Sequence, residues 1–578
     1  MRLSPLCQVL ASALLVSATL STPTITKRTT PAPSNFVTTT NDGQFMFNNS
    51  IIDFVGTNAY WLSALNTEDD IDFTLGNISA TGIRVVRTWA FNDVESIPQN
   101  GTWFQLIANG TTTVNEGPNG LQKLDAVVRL AEKHGLFLIL SLTNNWNPRP
   151  ILDAQHPMAI TRRDVTPFTN NSLPRNTLSN DYGGMDVYVR EFGHATMHDE
   201  FYTNETIINI FNNYTTQVVK RYVNSPAIFG WELANDPRCN STIPAFNNCN
   251  TQTVTRWHST VAKHVKSVDP NHLVSSGNQG FLCPDCPKLF ARQPTAPPTP
   301  PPPQPSRAPG QRRNTAQRLT KRRIIEERKA ALKKTRELKK RTNPVGGGFR
   351  IRGRWVATET RRQNIQDMGP AFDGSQGVDS EDLLAIPQIG FGTFQLFPDQ
   401  FKYGIDDPNL PAFNNTVEQG ISWIQQHAAM GKLFGKPVTL NGFGLVTQDN
   451  APFFVPFNST QAPFAPDNTT ITPPDPVQAP FGVTDTQRDD AYTQWLLAGL
   501  QAGLQGMIQY QWSQGNLTAV AGTTIVPPVT GPDLVPVVDG PGLSPNDGYA
   551  AQGIAQQTVN DVISQAAAQF ASDSSLRR

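Results

Sequence analysis

From about Asp53 onward, short apolar runs alternate with longer stretches whose apolar residues recur three or four positions apart. GIRVVRTW, LFLILSL and IFGWELAN have strand length, while LQKLDAVVRLAEKHG and TIINIFNNYTTQVVKRYV between them carry the helical period. Repeated strand–helix units imply a parallel sheet with helices packed on it. No Gly-rich phosphate loop follows the first strand, which disfavours an open dinucleotide-binding sheet. Polar residues cluster just after the strands: Arg87 and Trp89, Asn144 to Trp146, then Asn235 and Asp236. A closed (βα)8 barrel, the TIM barrel, builds its site there, and that is the α/β fold the pattern predicts.

The alternation breaks near Pro287. PTAPPTPPPPQPSRAP at 294–309 reads as extended, semi-rigid chain. Between Arg307 and Arg362 there are 20 Lys or Arg against four Glu, a local charge of +16, in a protein whose formal net charge is zero. A basic run of this kind could attract an acidic polymer. Its central stretch, QRLTKRRIIEERKAALKKTRELKKR, lacks interleaved aromatics, so a solvated insert is the better reading and no nucleic-acid partner is expected. Strand and helix patterns resume with AIPQIGFGTFQLF, KPVTLNGFGLV and GLQGMIQYQW. The expected organisation is one barrel in two parts, 41–290 and 370–570. A Pro-rich, basic insert at 291–369, disordered or helical, follows strand 5, and a short tail occupies 571–578.

Composition adds a compartment. The 578 residues are 38% hydrophobic and 16% charged, with 47 Pro and 42 Gly, a balance that suits a loop-rich exported protein. The N-terminus has a basic residue, an apolar run from Val9 to Leu20 and then small residues. This predicts a signal peptide over 1–20, followed by a pro-segment or linker over 21–40. The apolar run is too short to span a bilayer, so no membrane partner is expected. Twelve Asn-x-Ser/Thr sequons, Asn48, Asn77, Asn204 and Asn516 among them, fit a glycosylated surface. Beyond Cys7 there remain Cys239, Cys249, Cys283 and Cys286. Their spacing favours pairing 239 with 249 and 283 with 286 among three connectivities. A lone CPDC without a second ligand pair makes zinc a weak reading; no metal or cofactor is expected.

Six ordered motifs then carry a family likeness: GTNAYWL (56–62), GIRVVRTWAFND (82–93), DYGGMDVYVREFG (181–193), GWELANDPRC (230–239), FGTFQLFPDQ (391–400) and NDGYA (546–550). Together they resemble the secreted fungal endo-β-1,4-mannanases (mannan endo-1,4-β-mannosidases) of glycoside hydrolase family 5. The resemblance implies a (βα)8 barrel, a monomer, a β-mannan or related β-1,4-linked substrate, and a retaining mechanism with two glutamates. One protonates the leaving oxygen from the end of strand 4; the other attacks the sugar from the end of strand 7. In that mechanism the two carboxyls stand about 5–5.5 Å apart.

Mapped onto this chain, the acid position holds Asp236, beside the helper Asn235, and the nucleophile position holds Gly442. The shorter arm of Asp236 withdraws its carboxyl by up to about 1.5 Å. Gly442 has no side chain to attack with, and losing a nucleophile typically costs about 10⁴-fold or more in rate. The resemblance also expects a His and a Tyr where Gln395 and Phe397 stand, and an acid where Gln279 stands. A sugar-flooring Trp maps onto Tyr510 or Trp512. Arg87, Asn144, Asn145 and Trp146 remain family-like substrate-binding positions, and Trp89 is a candidate to stack on a sugar face. Asp399, Asp406 and Asp449 are candidate replacement bases. Three readings follow: a hydrolase with an unrecognised base, a carbohydrate-binding pseudoenzyme, and a wall or matrix protein tethered by its basic insert.

Overall fold

The apolar runs form eight parallel strands: β1 (Phe54–Asn58), β2 (Val85–Trp89), β3 (Phe137–Ser141), β4 (Ile228–Glu232), β5 (Leu273–Ser275), β6 (Gly392–Leu396), β7 (Val438–Phe443) and β8 (Gly506–Gln509). Neighbours in sequence are neighbours in the sheet, and β8 returns to pair with β1, Gly506 opposite Phe54. The remaining seam, β5 to β6, is closed by a parallel bridge between Ser275 and Phe391 and by the Gly390 N–H donating to Val274 O at 2.8 Å. The predicted (βα)8 barrel is therefore what this sequence forms.

This computed structural model describes residues 35–148, 176–290, 369–456, 482–525 and 541–576, except 41 and 177. It also describes short strands at Phe349–Ile351, Arg354–Val356, Val529–Thr530 and Val535–Pro536. The proposed signal peptide, the Pro-rich run and the basic run at 311–341 lie outside the described residues.

Among the described residues, eight helices follow the strands around the barrel: α1 (Glu68–Ala80), α2 (Leu121–Lys133), α3 (Glu205–Tyr222), α4 (Thr251–Val268), α5 (Ser380–Ala385), α6 (Ala412–Phe434), α7 (Asp485–Ala502) and α8 (Gly553–Leu576). In α2 the buried residues Leu121, Leu124, Val127, Val128 and Ala131 form one stripe at helical spacing, which fixes the face turned to the strands. Several helix starts are set locally: Thr67, Asn204, Asn250 and Asp379 accept first-turn N–H groups, and Thr484 with Gln487 forms a capping box on α7.

Two cores result. One lies between strands and helices; the other fills the lower barrel interior with Phe54, Val85, Phe137, Ile139, Phe229, Phe391 and Ile508, plugged from below by Phe45 of an N-terminal hairpin. With the lower interior filled by side chains, only the C-terminal ends of the strands are open to chemistry.

The insert enters the chain between β5 and α5, and both its flanks are tied to the barrel. Leu282 N–H donates to Ala371 O at 2.9 Å, Phe290 N–H donates to Asp382 at 2.7 Å, and Lys288 pairs with Asp379. Disulfides join Cys239 to Cys249 and Cys283 to Cys286.

Candidate active site

A cleft at the C-terminal ends of the strands is lined by Arg87, Trp89, Trp146, Asn235, Asp236, Gln279, Gln395, Phe397, Gly442 and Tyr510, drawn from seven different strand ends. A larger cavity, about 320 Å³, lies at the opposite end among Gln44, Lys432, Lys436 and Gln505. It is remote from every strand C-terminus, so the upper cleft is the chemical candidate.

Beneath the cleft floor sits an ionic layer. Arg87 forks onto Glu232, with Nε to Oε2 at 3.0 Å and Nη2 to Oε1, and also donates to Asn58 Oδ1 at 3.0 Å and Asn235 Oδ1 at 2.7 Å. Ser141 and Asn441 complete the shell of Glu232, which is fully buried. Every lone pair of Glu232 is thus engaged, as a buried charge requires. Glu232 is a positioning anchor for Arg87 and Asn235, out of reach of any ligand.

Asp236 follows β4 in a loop tied to β5 by its own N–H donating to Gly277 O at 2.9 Å. Its φ of 53° is in the left-handed region, which Asp enters more readily than most side chains. The carboxylate is buried and accepts from three donors: Arg238 Nε at 2.8 Å, Arg238 Nη2 at 2.9 Å and Trp146 Nε1 at 2.7 Å. Arg238 is itself packed over Trp146, Phe281 and Phe401. All of these partners donate, so both oxygens are committed as acceptors, the opposite of what a proton donor needs. Sequence reasoning singled out Asp236 and passed over Arg238 two residues on.

Gly442 owes its position to a bulge. In β7, Asn441 points into the barrel toward Glu232, yet Phe443, two residues on, packs outward on Tyr492 and Trp495 of α7. Regular alternation would put both on one face; the shift in pairing register between Leu440 and Phe443 turns Gly442 into the cleft. The device that aims a residue at this point is intact, while the residue it aims is glycine. A Cβ placed there would lie 3.2 Å from the Phe397 ring and 3.9 Å from Asn58 Nδ2. Phe397 stacks edge-on to Tyr510 and Tyr549, with centroids 5.5 and 5.3 Å away, so the space beside Gly442 is filled by an aromatic trio.

Opposite this wall runs a ladder of amides. Gln279 Nε2 donates to Gln395 Oε1 at 3.0 Å, and Gln395 Nε2 approaches Asn235 Oδ1 at 3.4 Å. Gln279 Oε1 is buried without a hydrogen-bond partner among the described residues.

Three expected binding residues lie outside the lining. Asn144 accepts from Asn235 Nδ2 at 2.8 Å and donates to Asn180 and Trp146 O, so it orients Asn235 from behind. The Asn145 side chain is spent on His198, Tyr202, Arg238 N–H and Asn240 O. Trp512 is buried beside Gln514, leaving Tyr510 at the position expected to floor the sugar.

The replacement bases fare no better. Asp406 is exposed and paired with Lys402, Asp449 is exposed, and Asp399 accepts Val446 N–H at 3.1 Å outside the lining, its carboxyl pushed up to about 7 by desolvation. The cleft contains instead a carboxylate that sequence reasoning missed, Asp547, with Ser179, Asn180, Gln400, Val455 and Tyr549. NDGYA was visible as a motif, but its Asp follows no strand, so periodicity gave it no role.

Residues 34–296 match the family model described as GH family 5 beta-mannosidase-like. Mannan endo-1,4-beta-mannosidase A of Aspergillus aculeatus is 38% identical over 282 residues, which cover 49% of this chain and 63% of that protein. Probable mannan endo-1,4-beta-mannosidase A-2 of Aspergillus terreus is 28% identical over 408 residues, covering 70% and 69%. The solved endo-1,4-beta-mannanase of Rhizomucor miehei shares the fold, with TM-score 0.54 at 23% identity over 92% of this chain and 99% of its own.

Proposed function

Because this chain is of the glycoside hydrolase family 5 type found in fungal mannan endo-1,4-β-mannosidases, we infer that its cleft holds β-mannan or a related β-1,4-linked polysaccharide without ordinary retaining turnover. The observation that carries this reading is the pair of altered positions taken together. Gly442 presents no oxygen and the Phe397 ring occupies the adjoining space, while Asp236 is clamped by Arg238. A retaining hydrolase needs a free carboxylate at the first position and a transferable proton at the second.

Binding has independent support. Trp146, Phe397, Tyr510 and Tyr549 offer ring faces or edges to the CH-rich surfaces of sugars. Asn180, Asn235, Gln279, Gln395 and Gln400 offer neutral donors and acceptors. The three bases that the sequence offered for an inverting reaction, Asp399, Asp406 and Asp449, are all absent from the cleft lining. Export to the extracellular space is part of the same proposal, supported by the apolar N-terminal run, the sequons and the two disulfides.

The test pairs two measurements on protein freed of contaminating hydrolases: release of reducing ends from soluble mannan, and calorimetric titration with mannotetraose. The expected result is saturable binding with turnover at least about 10⁴-fold below that of an intact family enzyme. Turnover approaching that of an intact enzyme would overturn the pseudoenzyme reading.

A further inference from the structure

Asp547 sits in the loop preceding α8, in the cleft wall that also carries Gly442, Tyr510 and Tyr549. It is 5% exposed. Its Oδ2 accepts the Tyr510 hydroxyl at 2.8 Å and the Ser179 hydroxyl at 2.9 Å. Its Oδ1 is buried and has no hydrogen-bond partner among the described residues, while the backbone N–H groups of Ser179 and Asp547 lie near enough to the carboxylate to favour its charge. No Lys, Arg or His among the described residues pairs with it, in contrast to Asp236 and Glu232, each of which is forked by an arginine. Leaving a buried carboxylate oxygen without a donor is expensive, and such an oxygen in a cleft wall points to a ligand that supplies one.

We propose that Asp547 is a ligand-binding residue of the cleft, whose Oδ1 accepts a hydroxyl of the bound sugar beside Gly442. The inference rests on the carbohydrate-binding reading above and sharpens it to a chemical class. Gln279 Oε1, elsewhere in the same lining, is a second buried acceptor without a partner. Two acceptors needing donors select a ligand rich in O–H groups. They disfavour uronate-bearing glycans, since a ligand carboxylate set against Asp547 would add like charge in a poorly solvated site. The class is thus a neutral β-glycan.

Ionisation gives the proposal a distinctive signature. Burial pushes the Asp547 carboxyl up to about 6, with the Tyr510 and Ser179 hydroxyls opposing the rise. Below that pH the group is neutral and a weaker acceptor; above it the charged form accepts strongly. The other titratable groups around it are Tyr60, Tyr510 and Tyr549, all raised well above the usual tyrosine range by burial, and Asp399 beyond Tyr549. Arg87, the nearby cation, is held by Glu232. Among these neighbours Asp399, raised to about 7 by burial, could imitate the pH response, so the response must be assigned by substitution.

The experiment is calorimetric titration of the full chain with mannotetraose at about pH 5 and about pH 8, for wild type, Asp547→Asn and Ser179→Ala. Wild type should bind about tenfold or more tightly at the higher pH, the scale of a hydrogen bond to a charged group. Asp547→Asn should bind about tenfold more weakly at pH 8 and lose the pH dependence. Ser179→Ala keeps the acceptor but removes a donor that favours its charge, so its midpoint should move upward while binding at pH 8 survives. If Asp547→Asn binds like wild type with the same pH profile, the assignment of Asp547 is overturned and the carbohydrate-binding reading stands. If Ser179→Ala abolishes binding at both pH values, Asp547 acts only by holding the wall together, and the proposal again fails. Absence of binding by wild type at either pH overturns the underlying reading itself.

Discussion

At the scale of single residues, the features of the cleft fit one another. With no side chain at 442, Phe397 packs against Tyr510 and Tyr549, and the short arm at 236 keeps its carboxylate within the fork of Arg238. Installing one glutamate alone should therefore fail. Gly442→Glu must displace a ring 3.2 Å from its Cβ, an overpacking that costs about 1–2 kcal/mol. We expect this variant to melt lower and to remain inactive on mannan. Asp236→Glu with Gly442→Glu should regain measurable reducing-end release, because both carboxyls then return. If the single variant proves as active as the double, Asp236 can donate a proton despite Arg238.

At the scale of elements, the loops after β3, β4 and β5 form one cross-linked unit. Asn145 N–H donates to Asn235 O, Asp236 N–H to Gly277 O, and the β4 loop continues into the Cys239–Cys249 disulfide. Cys239 N–H also donates to Gln376 O, on the far side of the insert. A bridge closing a loop of this size contributes about 2–3 kcal/mol through the unfolded chain. Cys249→Ser should lower the thermal midpoint measurably and, because the loop carries Asp236 and Arg238, should also weaken mannotetraose binding. An unchanged midpoint would show that the hydrogen bonds alone hold the unit. The bulge in β7 belongs to this scale as well: it was invisible in KPVTLNGFG, where alternation assigned a strand but could not say where the alternation slips.

At the scale of the whole molecule, buried titratable groups set opposing dependences on pH. His258 and His427 are desolvated and held near 4, below the ordinary histidine value, so their contribution is complete above about 6.5 and is lost as pH falls toward 4. Asp399 and Asp547 are desolvated and raised to about 7 and about 6, so the folded state binds more protons than the unfolded state, and stability falls as pH rises from about 4 through those values. Each of these groups is worth up to about 4 kcal/mol, so the sum is a broad optimum in mildly acidic solution. Asp399→Asn retains an acceptor for Val446 N–H and removes the charge. Its stability relative to wild type should increase steadily between about pH 4 and pH 7 in thermal melts; a difference independent of pH would mean that Asp399 is hydrated in the folded protein.

The sequence by itself determined the barrel, the position of the insert and most of the cleft lining, because these follow from local periodicity and from motifs at strand ends. It also singled out Asp236 and Gly442, which needs only a residue's identity and its neighbours, and both line the cleft. Tertiary structure alone decided what occupies their surroundings. The Arg238 fork on Asp236 and the Phe397 ring against Gly442 depend on side-chain directions and loop paths that no spacing encodes. Asn144, Asn145 and Trp512 stand outside the lining for the same reason, since a polar or aromatic residue after a strand can face the cleft or brace it from behind. Asp547 enters the cleft only because the chain closes its eighth strand against its first, which brings the loop before α8 back over the site.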